Sequence, residues 1–317
     1  MKRLMIIFVL VVGVCATFVL LKNEYACLLL RNSTYGFSPL ISGSSKVGTL
    51  FLGSSMFRQG LDIYALESKF PDSWILAYNG NQPVFENEEL LYLARHNFIP
   101  KRVFLDMYAF SVVAPSKVSD DRIFLHTDLL FKMQLWKKLN ANGDMTLSAL
   151  WQMFVTSNNE NLLAWFLHKP LIEKRYHRGG NILDVAGRDS ATILLSPEME
   201  ISQLSLRREQ VVAIREIVDF CRRNDVQLAF IETPKYQSVV DSRYVSIMES
   251  YGALLDSLHV PYYLSEETAN KLLRETPSEN VTVVPFNSSN PKFFLDYIHL
   301  SSDGRREYSR SLMESLR

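Results

Sequence analysis

The fold is decided by the segment Val47-Gly48-Thr49-Leu50-Phe51-Leu52-Gly53-Ser54-Ser55-Met56. Its first six residues form a short apolar run that is bounded by Gly53, which is typical of a buried β-strand. Apolar residues then recur at helical spacing over residues 56–70, so a helix is predicted directly after the strand. A buried strand that turns sharply into a helix is the opening unit of an α/β domain.

The same alternation of strands and helices continues along the chain. The further predicted strands are 74–78, 102–107, 226–231 and 260–264, and the further predicted helices are 86–98, 211–221, 244–258 and 302–316. Alternation of this kind favours a parallel sheet that is covered by helices on both faces. We therefore expect a three-layer α/β/α, flavodoxin-like domain with a parallel sheet of about five strands.

The alternation stops between about residues 112 and 205. This segment is rich in Leu, Trp, Phe and Met at helical spacing, and it has polar turns at 140–143 and 177–180. We predict a largely helical insertion here, which would act as a lid or a membrane-proximal cap. Methionine and aromatic residues at helical spacing are typical of core packing, so no cofactor is assigned to this segment.

The N-terminal segment has the pattern of a targeting or anchoring sequence. Lys2 and Arg3 precede an apolar run over residues 4–21, which Lys22 closes; this pattern directs a chain into or across a membrane. The run is at the short end of the roughly 20 residues that span a bilayer, so an anchor and a cleavable signal both remain open. We expect a transmembrane anchor over residues 1–22, a linker over 23–45, and a domain over 46–317 outside the cytoplasm.

Composition disfavours several classes of function. Lys plus Arg and Asp plus Glu both total 34, and no block of like charge is present, so nucleic acid is not an expected partner. The three cysteines include no Cys-x-x-Cys pair, and the histidines show no metal-ligand spacing. A nuclease or a metal-dependent phosphodiesterase would need a basic groove or clustered metal ligands, and we predict no metal and no cofactor.

Ser55 lies at the predicted strand-to-helix turn, where a hydroxyl group projects above the carboxyl edge of the sheet. The N-terminus of a helix also supplies N–H groups and a positive dipole end, which stabilise an oxyanion. A serine hydroxyl needs a base before it acts as a nucleophile. Asp296 and His299 are three residues apart, so the carboxylate can bind one ring nitrogen while the other faces Ser55. We predict Ser55 as the nucleophile, with His299 and Asp296 as its partners.

Two motifs resemble the first and last conserved blocks of the SGNH (GDSL-like) hydrolases. The first is Gly53-Ser54-Ser55 with Gly60, and the second is Asp296-x-x-His299, which Leu300, Gly304 and a last helix follow. The resemblance covers about residues 45–110 and 206–317. The family has Gly-Asp-Ser in the first block, so Ser54 stands where an Asp is usual, and the third position favours Ser55 over Ser54 as nucleophile.

The resemblance also suggests where an oxyanion would bind. The family uses a Gly after the second strand and an Asn after the third strand as oxyanion donors. This chain has Tyr78-Asn79-Gly80-Asn81-Gln82-Pro83 after the second predicted strand, with Gly80 one place early. Asn81 could occupy the Gly position, since Asn tolerates left-handed backbone geometry. Asn79, Gly80 and Asn81 are all candidates.

The third predicted strand ends in Asp106-Met107-Tyr108-Ala109, without the family's Gly-x-Asn-Asp block, so its side-chain oxyanion donor is missing or replaced. Four polar or charged residues lie at or just beyond the ends of predicted strands: Asp106, Tyr108, Lys235 and Tyr236. They either shape substrate binding or only pack the loops, and the sequence leaves both readings open.

This departure, with the Gly-Ser-Ser turn and Thr233-Pro234, resembles a divergent membrane-anchored branch implicated in teichoic-acid D-alanylation and exopolysaccharide O-acetylation. The resemblance implies a serine esterase or O-acyltransferase that acts on an acyl ester of an extracytoplasmic glycan or envelope polymer. The membrane and a membrane-bound acyltransferase are the implied partners. The alternative is an inactive binding or scaffold protein in such an assembly, which the missing Asn block supports.

Overall fold

The computed structural model of the protein describes residues 2–29, 33–43, 46–154, 174–189, 192–193, 204–273 and 278–316. The strands in these ranges are β1 Thr49–Gly53, β2 Ser73–Ala77, β3 Arg102–Asp106, β4 Tyr176–His177, β5 Gly180–Asn181, β6 Gln227–Ile231, β7 Tyr262–Ser265 and β8 Val281–Val284.

Six of these strands form one parallel sheet in the order β2-β1-β3-β6-β7-β8. The predicted parallel α/β architecture is confirmed, with β8 as an additional strand that the sequence analysis did not predict. The chain moves from β1 to one edge of the sheet and then returns across β1 to β3. The connections therefore reverse between β1 and β3, which is the position at which open α/β sheets bind ligands.

Twelve α-helices lie in the described residues. They are α1 Lys2–Leu29, α2 Ser38–Ile41, α3 Ser55–Gly60, α4 Ile63–Lys69, α5 Pro83–Arg95, α6 Ala109–Val113, α7 Leu129–Asn142, α8 Leu147–Phe154, α9 Arg208–Arg223, α10 Ser242–Ser257, α11 Glu266–Leu272 and α12 Ser302–Ser315. The helix predicted over 56–70 is divided into α3 and α4, because the Asp62 side chain accepts a hydrogen bond from the N–H of Tyr64 and starts a new helix.

Alternate side chains of each strand enter opposite faces of the sheet, as the period of a strand requires. Leu50 and Leu52 belong to the core on the side of α5, α9 and α10. Phe51 belongs to the core on the side of α3, α4 and α12, where its ring stacks on Phe104 at 4.9 Å between centroids. Apolar side chains thus cover both faces of the sheet, and this gives the three layers.

The N-terminal helix α1 continues to Leu29, past Lys22, where the apolar run ends. Among the helices of the described residues, none has the length and apolarity that crossing a membrane requires. The predicted transmembrane helix is therefore not supported by the structure.

Part of the predicted linker packs against the domain. Phe37 and Leu40 are fully buried in the larger core. The ring of Phe37 stacks on Tyr78 at 5.8 Å and meets the edge of Tyr92 at 5.3 Å. Residues 33–41 thus contribute to the core beside α5, because their aromatic and aliphatic side chains find apolar partners there.

The predicted insertion is helical in its first half, with α7, α8 and a 3-10 helix over Asp121–Leu125. The predicted turn at 140–143 ends α7, with Gly143 in the left-handed conformation at φ 77°. The predicted turn at 177–180 is the loop of the β4–β5 hairpin. The hairpin lies along the sheet edge, where the Ile75 N–H donates to the Arg178 carbonyl at 2.9 Å. Residues 155–173, 190–191 and 194–203 of the insertion lie outside the described residues.

A pair of Leu→Ala substitutions tests whether the segment around residue 40 belongs to the core. Leu40 is 2% exposed, so Leu40→Ala is expected to lower the free energy of unfolding by about 2–5 kcal/mol. Leu130, on α7, is 52% exposed, and Leu130→Ala is expected to change it by less than about 0.5 kcal/mol. Chemical denaturation measures both, and equal small effects would show that residues 33–41 do not stabilise the domain.

Candidate active site

The turn between β1 and α3 places two serines at the carboxyl edge of the sheet. Ser54 is the N-cap of α3, and its Oγ accepts a hydrogen bond from the N–H of Met56 at 3.1 Å. Ser55 is the first residue of the helix, so its N–H has no partner within the helix. The Ser55 side chain is partly exposed, whereas Ser54 is 2% exposed.

Ser54 joins the ends of β1 and β3. Its Oγ donates to Asp106 Oδ2 at 2.5 Å, and its N–H donates to the same oxygen at 3.3 Å. A Cβ atom on Gly53 would lie 2.4 Å from the Cβ of Asp106, so the close approach of the two strand ends requires glycine there. The Ser54 hydroxyl is committed to this contact, and Ser55 is the serine that faces open space.

The loop that carries Asp296 and His299 is held by its own backbone. Asp296 Oδ1 accepts hydrogen bonds from the N–H groups of Ile298 and His299, both at 2.8 Å. The N–H of Leu295 donates to the carbonyl of His299 at 2.8 Å. The N–H of Tyr236, in the loop after β6, donates to the carbonyl of Tyr297 at 3.0 Å. The position of the His299 ring is therefore determined by several contacts.

The structure brings Ser55, His299 and Asp296 together, although Ser55 and His299 are 244 residues apart in the chain. Ser55 Oγ lies 3.0 Å from His299 Nε2, and His299 Nδ1 lies 2.7 Å from Asp296 Oδ2. An ionised carboxylate only accepts hydrogen bonds, so Nδ1 carries the proton and Nε2 is free to accept from the serine hydroxyl. These distances are those of a nucleophile, a base and an orienting carboxylate.

The Asp296 carboxyl group is kept ionised by its neighbours. Partial burial alone would raise its pKa, but the hydrogen bond and charge of His299 and the two backbone N–H donors lower the pKa below its ordinary value. Asp296 thus remains an acceptor for the His299 ring.

Ser55, Asp296 and His299 open into a cleft of about 830 Å³. Its other walls are mainly polar or charged, and include Arg58, Asn79, Asp120, Arg122 and Tyr176. Among the described residues, no group of three His, Cys, Asp or Glu side chains is placed to hold a metal ion. The polar and charged walls of the cleft suit a polar substrate beside Ser55.

The three oxyanion candidates have different positions. Asn79 is exposed and lines the cleft. Gly80 has the left-handed conformation, at φ 60°, that the sequence analysis had considered for Asn81. Gly80 and Asn81 both line a separate, more apolar pocket of about 570 Å³. The Asn81 side chain donates to the Gly53 carbonyl at 3.3 Å and to Glu89 Oε1 at 3.1 Å. It therefore stabilises the end of β1, directly before the turn with Ser54 and Ser55.

Asp106, at the end of β3, and Lys235, after β6, are buried and do not line the cleft. Lys235 is fully buried, its Nζ donates to Thr233 Oγ1 at 3.1 Å, and it lies 5.3 Å from the ring centre of Tyr108. Burial raises the pKa of Asp106 to about 6, although the Lys235 charge and the Ser54 hydrogen bonds act in the opposite direction. Asp106 Oδ1 is buried with no hydrogen-bond partner among the described residues.

Four further residues of the cleft were not predicted from the sequence: Arg58, Asp120, Arg122 and Tyr176. Arg58 is three residues after Ser55 on α3, and this helical spacing was the available signal. The other three residues come from the insertion and carry no local motif. Their side chains meet only in the folded chain: Asp120 binds Arg122 at 2.5 and 2.8 Å, and Arg122 donates to the Tyr176 hydroxyl at 3.1 Å.

Comparisons with protein-family models and with curated proteins find no match. Solved structures similar to this chain include the C-terminal catalytic domain of Streptococcus pneumoniae peptidoglycan O-acetyltransferase A, at 12% identity and a TM-score of 0.32, over 86% of this chain and 93% of that one. Another is an acetyl xylan esterase from the rumen bacterium Butyrivibrio proteoclasticus, at 10% identity and a TM-score of 0.31, over 86% of this chain and 64% of that one.

Both TM-scores are below 0.5, so the class of fold is established by this chain's own topology. The sheet order, the serine turn after β1 and the Asp-x-x-His loop before the last helix form a parallel α/β fold that is similar to the SGNH fold. This agrees with the resemblance of the two sequence motifs.

The raised pKa of Asp106 predicts a dependence of stability on pH. Between the ordinary value of 3.8 and about 6, the folded protein keeps a proton that the unfolded chain releases, so the contribution of Asp106 to stability falls as pH rises. The free energy of unfolding of wild type relative to Asp106→Asn is expected to fall by on the order of 2–3 kcal/mol from pH 3.5 to pH 7.

Urea denaturation of both proteins at several pH values measures this difference. Leu40→Ala removes no titratable group, so its difference from wild type is the control and should not vary with pH. A flat Asp106→Asn difference would contradict the assignment of a raised pKa to this residue.

Proposed function

We propose that the protein is a serine esterase or O-acyltransferase that forms an acyl-enzyme on Ser55. The observation that carries the proposal is the hydrogen-bonded chain from Ser55 Oγ through both ring nitrogens of His299 to Asp296. This arrangement supplies the nucleophile, the base and the orienting carboxylate that acyl transfer needs.

In the first half of the reaction, His299 Nε2 takes the proton of Ser55 as Oγ attacks the ester carbonyl. The tetrahedral oxyanion is stabilised by the N–H of Ser55 at the start of α3 and by the loop after β2, from which Asn79 lines the same cleft. The bond to the leaving alcohol then breaks, and His299 returns its proton to the leaving oxygen. Ser55 is left as an acyl ester.

In the second half, water or the hydroxyl group of an acceptor attacks the acyl-enzyme. His299 takes the proton of the attacking group, the tetrahedral intermediate collapses, and Ser55 regains its proton. Hydrolysis and transfer thus differ only in which hydroxyl reaches the ester carbon. The insertion controls which hydroxyl group reaches the acyl-enzyme. This is supported by the position of Asp120, Arg122 and Tyr176, which line the cleft beside Ser55.

The polar lining of the cleft supports a short acyl group on a hydrophilic acceptor, such as a glycan or another envelope polymer. The basic residues and apolar run at the N-terminus support an extracytoplasmic location for this activity. A membrane-bound acyltransferase is a partner of matching chemistry, since it would supply the acyl group.

Labelling of the full chain with a fluorophosphonate probe tests the nucleophile. We expect covalent labelling of wild type, because His299 activates the Ser55 hydroxyl for attack on phosphorus. Ser55→Ala should abolish labelling. Ser68→Ala, a change at an exposed serine on α4, is the matched control and should label as wild type does. Absence of labelling in wild type would favour the inactive scaffold over the enzyme.

The length of the acyl chain tests the nature of the cleft. An apolar acyl pocket typically gains about 0.8 kcal/mol for each buried CH₂ group, but polar and charged walls do not provide this gain. We expect kcat/KM for p-nitrophenyl acetate to exceed that for p-nitrophenyl octanoate by roughly tenfold or more. A preference for octanoate would instead assign the acyl chain to the apolar pocket that Phe110, Ala114 and Leu139 line.

A further inference from the structure

A buried cluster of charges lies beside Ser55 and is composed of Arg58, Asp120 and Arg122. The side chains of these residues are 5–7% exposed. Asp120 makes a two-point contact with Arg122, whereas Arg58 Nη1 lies 3.5 Å from Asp120 Oδ2. One carboxylate thus faces two guanidinium groups, and the Arg58 contact with it is the weaker one.

Burial and the nearby charges shift the pKa values of both Asp120 and Arg58. Burial would raise the pKa of Asp120, but Arg122, the Asn79 N–H and Arg58 lower it below its ordinary value. Burial and the charge of Arg122 both lower the pKa of Arg58. Burying such a cluster costs desolvation free energy, so its place against the cleft calls for a role beyond packing.

The cluster holds Asn79 at two points. Arg58 Nη2 donates to Asn79 Oδ1, and the N–H of Asn79 donates to Asp120 Oδ2 at 2.9 Å. A guanidinium group can only donate hydrogen bonds, so the amide oxygen must be the atom that faces Arg58, and the amide NH₂ group must point the other way.

The NH₂ group of Asn79 is an open donor in the cleft. Asn79 is exposed and lines the cleft together with Ser55 and His299. Among the described residues, no acceptor binds its Nδ2. The chain has no asparagine directly after β3, where Met107 and Tyr108 follow instead. Asn79 therefore offers a side-chain donor from the loop after β2.

We infer that the Asn79 NH₂ group is the side-chain donor to the oxyanion, and that Arg58 and Asp120 are positioning residues that hold it. The inference rests on the proposed acyl transfer at Ser55. A donor that is already oriented costs no reorganisation when the negative charge develops on the substrate oxygen. The insertion thereby contributes to catalysis through Asp120, which Arg122 and Tyr176 hold in turn.

The first test replaces the Asn79 donor without changing its shape. Asn79→Asp keeps an acceptor for Arg58 but puts a carboxylate where the NH₂ group was, so kcat for p-nitrophenyl acetate is expected to fall roughly 10²–10³-fold, with KM changed less than about threefold. Asn287→Asp makes the same change at an exposed asparagine that does not line the cleft, and it keeps the acceptor for the Ser289 N–H. This matched control should stay within about threefold of wild type.

The second test asks whether Arg58 acts through Asn79. Arg58→Met leaves Asp120 compensated by Arg122, so the fold should persist, and thermal unfolding checks this. We expect kcat to fall roughly tenfold or more in the wild-type background but less than about threefold when Asn79 is already Ala. Arg58→Lys, which keeps a donor, should retain more activity than Arg58→Met.

The outcomes separate the inference from the proposed function. Equal losses on Arg58→Met in both backgrounds would overturn the positioning role of Arg58. Turnover that depends on Ser55 but is unchanged by Asn79→Asp would overturn the donor role of Asn79 and leave the proposed function standing. Turnover that survives Ser55→Ala would remove the proposed function and the inference with it.

Discussion

The hydrogen bond from the Ser54 hydroxyl to Asp106 joins the carboxyl ends of β1 and β3, and the site is built around this junction. The two strands meet where the connections of the sheet reverse, which leaves a crevice between the loops that follow them. Glycine at position 53 permits the approach, since any side chain there would collide with Asp106. With Ser54 held inward, the next residue along the chain, Ser55, is directed to the crevice.

The opposite side of the crevice is fixed by a second buried carboxylate. Glu232, directly after β6, accepts hydrogen bonds from the hydroxyl groups of Tyr244, Thr268 and Ser265 at 2.6–3.0 Å. Its backbone carbonyl accepts from the Tyr308 hydroxyl of α12 at 2.6 Å. Satisfied buried networks of this kind rigidify the structure around them. The last helix, and the loop with His299 that precedes it, are therefore tied to the same end of the sheet as Ser55.

The insertion is part of the site as well as a covering segment. Tyr176 belongs to the β4–β5 hairpin, which lies on the free edge of β2, where the Arg178 carbonyl accepts a hydrogen bond from the Ile75 N–H. A bare edge strand would expose unpaired backbone groups, so the hairpin both protects the sheet and brings Tyr176 next to Arg122. A segment that does not share the alternating pattern of the domain thus supplies one wall of its cleft.

The sequence by itself determined the layers of the fold and the position of the nucleophile turn, because burial imposes short periods that local segments display. The apolar runs before Gly53 and around Val103 and Phe230 show these periods. The spacing of three residues between Asp296 and His299 indicated that one turn could place both side chains on the same side. The strand β8 was missed although its sequence, Val-Thr-Val-Val, is rich in β-branched residues; the run has only four residues, and of these only Val284 is buried. Only the tertiary structure decided that Asp106 binds Ser54, that Gly80 rather than Asn81 takes the left-handed conformation, and that Arg58 meets Asn79 and Asp120. These contacts join segments between about 20 and 60 residues apart, and no local pattern records such distances, since they depend on how the strands and loops are placed in space.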